Sequence, residues 1–100
     1  MQYDKLVRDK IPAIVNKSGG KAIYHTAKNK EYAQKLKEKL TEEVIEFLKS
    51  EDIEELADII EVVEALAIVK KSTLKNVLAL KKKKHRERGG FSKRIILEES

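Results

Sequence analysis

From about Lys30 to Lys49 the apolar residues Leu36, Leu40, Val44 and Phe47 recur at steps of three and four, which sets them along one stripe of a helix. The next stretch, from about residue 52 to 70, is apolar around most of its circumference. Twelve of the seventeen residues from 53 to 69 are Ile, Leu, Val or Ala, the pattern of a helix buried among partners. The break between the two, Lys49-Ser50-Glu51-Asp52, is short enough to force an antiparallel hairpin. Ser50 or Asp52 is available there as N-cap, followed by acids in the first turn where the helix dipole favours them. A third main helix is capped by Ser72 or Thr73, carries Leu74, Val77, Leu78 and Leu80, and continues through KKKKHRER until Gly89-Gly90 stops it.

The flanks follow other patterns. Asp9 can cap a short helix from about residue 10 to Asn16, with Pro12 tolerated in its first turn and SGG at 18 to 20 ending it. KAIYHTA at 21 to 27 and KRIILE at 93 to 98 have β-branched and aromatic character, so these two segments are candidates to pair as a small sheet. The expected fold is therefore mainly α: a helical bundle built around an antiparallel helical hairpin, with a two-stranded β element from residues 21 to 27 and 93 to 98 as an optional addition.

Composition narrows this picture. One hundred residues suit one domain, 1 to 100, with one modest core. The absence of cysteine removes disulfides, thiolate metal sites and Cys nucleophiles, and makes the cytoplasm the expected compartment. MQYDKLVRDK is too charged for a signal peptide, and Glu55, Asp58, Glu61 and Glu64 interrupt the longest apolar region, so no membrane span is expected. The formal charge of +5 favours anionic partners, with nucleotides and nucleic acid both in range.

The acids within the hairpin change the reading most. At 100° per residue Glu43 falls beside Leu36 in the apolar stripe, on the side away from Phe47, Glu46 lies at its edge and Glu42 lies outside it. On the second helix Glu55 and Asp58 flank the direction of Val62. About a turn centred near residue 50, Glu46 comes level with Glu55 and Glu43 with Asp58. Carboxylates converging between two packed helices repel one another and resist ionisation unless a cation joins them. Oxygen ligands without His or Cys select a hard cation, here Mg²⁺. A single Glu is ordinarily a solvated surface residue; two E-x-x-[ED] steps balanced about one turn are harder to explain that way.

EEVIE at 42 to 46 followed by EELAD at 54 to 58 resembles the E-x-x-E…E-x-x-D metal signature of the all-α nucleoside triphosphate pyrophosphohydrolases, the MazG and phosphoribosyl-ATP pyrophosphohydrolase superfamily. YDKLVRDKIP at 3 to 12 and RGGFSKRIIL at 88 to 97 are similar to the ends of a small MazG-like subfamily, so the resemblance covers nearly the whole chain. It implies a helical bundle that forms a homodimer or homotetramer and uses Mg²⁺ to split a nucleoside triphosphate into the monophosphate and pyrophosphate, as in the clearance of non-standard nucleotides. By motif position, Glu43, Glu46, Glu55 and Asp58 would be the metal ligands. Only eight residues separate Glu46 from Glu55, fewer than is usual in MazG itself. For the chemistry, bound Mg²⁺ can neutralise phosphate oxygens and activate a water, and a carboxylate not fully used in ligation, Glu43 or Glu46, can accept that water's proton.

Lys5, Arg8 and Lys10 have no helical-core reason to cluster, and the resemblance makes them candidate contacts for the triphosphate, as are Arg88 and Lys93 beside the glycines. His25 and His85 are isolated and read as surface or structural, and Tyr3, Tyr24, Tyr32, Phe47 and Phe91 read as packing aromatics before base-stacking ones. One alternative is a nucleic-acid-binding module that uses KKKKHRER, but the dense acid of the central helices repels a phosphate backbone. Another is a non-catalytic dimerisation hairpin of the same fold.

Overall fold

The computed structural model describes residues 4 to 100, and four helices account for all of the regular structure among them: α1 (Ile11–Lys17), α2 (Asn29–Ser50), α3 (Ile53–Val69) and α4 (Leu74–Arg88). The centre is the antiparallel pair α2 and α3, with α4 packed more lightly against α3. The bounds of both hairpin helices fall within one residue of those expected from periodicity, because the apolar stripe of α2 and the apolar girth of α3 have no other way to leave water.

The reversal between them takes two residues. Glu51 stands in the left-handed region at φ 57° and donates its N–H to Phe47 O at 2.7 Å, closing α2 in the conformation that glycine usually supplies. Asp52 precedes α3 in an extended conformation without a side-chain capping bond, and its own N–H donates to Ser50 Oγ at 3.2 Å. At the next connection Thr73 is the cap, its hydroxyl accepting from the Asn76 N–H at 3.1 Å. Gly89 ends α4 at φ 80°, a conformation that L side chains rarely adopt.

Two expectations for the flanks are corrected. Asp9 does not cap α1: Lys10 occupies the N-cap position, with no side-chain bond to the helix. The two-stranded element does not form, and residues 21 to 27 and 93 to 98 run without pairing. Ile23 is 89% exposed and Ile96 82%, so neither segment has an apolar face to lie on, and an isolated strand pair without such support is marginal in water.

The core is small. Among the described residues Leu36, Val62 and Ala67 are the buried apolar ones, all on α2 and α3, while α1 and α4 bury none. The radius of gyration is 17.5 Å, against about 13 Å for a compact chain of this length. No helix among the described residues is long and apolar enough to cross a membrane.

Candidate metal centre

Glu43 is the one buried charged residue among those described, only 9% exposed, and its place in the α2 stripe beside Leu36 explains why it faces α3. The hairpin register brings Glu55 and Asp58 to it. One carboxylate oxygen from each of Glu43, Glu55 and Asp58 lies within 4.8 Å of the other two, with Glu55 and Asp58 half-buried. Glu46, one turn further along α2, is exposed and stands outside this group of three. It is near enough for its charge to act on Glu55.

The electrostatics express the crowding. Withdrawal from water raises the Glu55 carboxyl above its ordinary range, and the charges of Asp58 and Glu43, a hydrogen bond with Glu43, and the charge of Glu46 push in the same direction. Each of these causes penalises the ionised form, so a cation placed among the three oxygens would relieve them together. The oxygens are hard ligands, the donor type that Mg²⁺ and Ca²⁺ take. By donor chemistry the residues present could hold a hard divalent cation.

The protein also supplies cations of its own. Lys39, one turn before Glu43 on α2, places its Nζ 3.3 Å from Glu43 Oε1 and 3.5 Å from Glu42 Oε1. Lys5 donates to Glu42 Oε1 at 3.1 Å. Partial burial pushes the Glu42 carboxyl up, but the bond from Lys5 and the charge of Lys39 outweigh it and hold the group below its ordinary range. Arg8 donates from Nη2 to Asp58 Oδ1 at 2.7 Å and from Nη1 to Glu61 Oε1 at 3.3 Å.

Of the five basic residues expected near a phosphate chain, Lys5 and Arg8 therefore lie on acids of the hairpin. Lys10, Arg88 and Lys93 are exposed, and among the described residues their side chains make no ion pair. His25 is a surface residue held by Glu31, with Nε2 at 2.9 and 3.1 Å from the two carboxylate oxygens. Tyr32 and Phe47 are partly buried, Tyr24 and Phe91 are exposed, and Tyr3 lies outside the described residues.

Sequence reasoning takes Glu61 as outward-facing or supporting the site, and does not pair it with Arg8 or Lys39 with Glu43. Lys39 was legible in principle, since it stands four residues before Glu43 on one helix face. Glu61, the second anchor of Arg8, was not, because that contact joins residues 53 positions apart. Comparison with family models, curated proteins and solved structures returns no match, so the functional reading rests on the geometry and the sequence motifs.

Proposed function

We propose that the protein is a Mg²⁺-dependent nucleotide pyrophosphohydrolase that cleaves a nucleoside triphosphate, or a related nucleotide, into the monophosphate and pyrophosphate. The observation that carries this reading is the convergence of Glu43, Glu55 and Asp58 across the α2–α3 hairpin, at the positions where the chain resembles the E-x-x-E…E-x-x-D signature. Glu43, Glu55 and Asp58 would hold the ion. When bound, it supplies charge neutralisation to the phosphate oxygens and acidity to an attacking water. Glu46, outside the group of three and on the same face of α2, is the carboxylate left to accept the water's proton.

A homodimer or homotetramer belongs to the same reading. Leu48, Ile53, Ile60 and Ile68 of the hairpin are each more than half exposed in the single chain, and a second copy would cover apolar surface of this kind.

The test is incubation with a panel of nucleoside triphosphates, with and without Mg²⁺, and an assay for pyrophosphate. Release is expected only with the metal. Orthophosphate as the only product, or pyrophosphate release indifferent to chelation, would refute the reading. Glu43→Gln and Asp58→Asn should each lower the rate on the order of 100-fold or more while the helical circular dichroism is unchanged.

A further inference from the structure

The shortest ion pair at the acidic group, Arg8 with Asp58 at 2.7 Å, comes from outside the hairpin. Residues 4 to 10 precede α1 without helix or strand, and from this segment Arg8 forks across α3, with Nη2 on Asp58 and Nη1 on Glu61. Asp58 and Glu61 are three residues apart on one face of α3, a spacing that a planar guanidinium spans with two separate N–H donors in a fixed fork. Asp58 thus belongs both to the three-carboxylate group and to this fork.

The two roles conflict. A divalent ion drawn to Glu43, Glu55 and Asp58 repels a guanidinium resting on one of its own ligands. The fork is also weakly held. The Arg8 side chain is 55% exposed and its partners are at least a third exposed, so water screens the pair and its net worth is small. Between a doubly charged ion with several oxygens and a solvent-exposed arginine, the ion wins.

We propose that Arg8 is a resident counter-cation of the acidic group, paired with Asp58 as Lys39 is with Glu43, and that a divalent ion displaces it from Asp58. Metal entry is thereby coupled to release of the Arg8 side chain from α3, while Lys5 of the same segment keeps its bond to Glu42 on α2. This rests on the metal reading of Glu43, Glu55 and Asp58. Without the ion, Arg8 offsets the charge of Asp58, as Lys39 offsets that of Glu43, and ties its end of the segment to α3. With the ion, the guanidinium is freed beside the site, within side-chain reach of an anion that the ion would attract. Arg8 is in this sense a positioning residue: it acts through Asp58 and governs when that carboxylate is available.

The chain contains four arginines, so the guanidinium N–H resonances of ¹⁵N-arginine-labelled protein can be assigned with Arg8→Gln alone as reference. In metal-free wild type the Arg8 resonances should exchange with water more slowly than the other three. Titration with Mg²⁺, without nucleotide, should bring them to the rate of the rest. By calorimetry, Arg8→Gln should bind Mn²⁺ about 5-fold more tightly than wild type, and Arg8→Lys should fall between the two. Mg²⁺ binding that leaves Arg8 slow to exchange would show that guanidinium and ion share Asp58, and would overturn the displacement while sparing the metal site. Absence of binding to both wild type and Arg8→Gln would overturn the displacement and the metal reading together.

Discussion

The α2–α3 hairpin and α4 are both helical, but they are helical for different reasons. The hairpin holds every buried residue of the described chain, apolar and charged alike. Its helices persist because each covers the other, which is the usual source of helix stability in a folded protein. α4 has no buried residue. It is defined by local devices: the Thr73 hydroxyl at its start, strong helix formers along its length, basic residues in its last turn and a glycine past its end. The acidic group lies wholly within the first kind of structure. Three carboxylates can be kept within 4.8 Å of one another only where packing fixes the backbone that carries them.

The sharpest way to break this comparison is to remove the side chain at the centre of the hairpin. Leu36 is 2% exposed, and Leu36→Ala should cost about 3 kcal/mol, lowering the thermal midpoint by roughly 10 to 25 °C. Leu80→Ala on α4, where the side chain is 59% exposed, should cost below about 0.5 kcal/mol. Equal losses at the two positions in thermal melts would mean that the exposed face of α4 is covered in solution by another copy of the chain.

The same division explains what could be read from the sequence. The hairpin was legible almost to the residue because its signal is internal: Leu36, Leu40, Val44 and Phe47 declare a stripe, and the stripe identifies Glu43 as the acid that faces inward. The balance of Glu43 and Asp58 about the turn followed from the same spacing. Residues 21 to 27 and 93 to 98 misled because strand character is realised only when a partner is present, and β propensity reports fit to a half-buried surface that these segments lack. Arg8 was readable as a basic residue near the site but not as a ligand of Asp58. Its fork depends on how the N-terminal segment crosses α3, which no local pattern encodes.

A smaller effect is expected at the start of α4. Thr73→Ala removes the acceptor for the Asn76 N–H and should cost about 1 kcal/mol. Because α4 is anchored so lightly, the loss should appear as faster amide exchange over residues 74 to 77, with little change at Leu36 and Val62. Exchange that accelerates equally in the hairpin would show α4 and the hairpin to be one cooperative unit, and the contrast between them would fail.

The least change is expected on the outer face of α4, where it is also the most informative about charge. Lys82 and Arg86 are four residues apart, fully on the helix and exposed, so they repel along one face. Lys82→Glu replaces that repulsion with an attractive pair in the favoured order, acid before base, and should stabilise α4 by a few tenths of a kcal/mol. The gain should fade in about 1 M salt, where the screening length falls to roughly 3 Å. A melt at low salt in which Lys82→Glu loses stability would mean that the lysine is engaged by an acid of another chain. That result would turn α4 from a self-sufficient helix into part of an interface, and would bring it under the same physical rule as the hairpin.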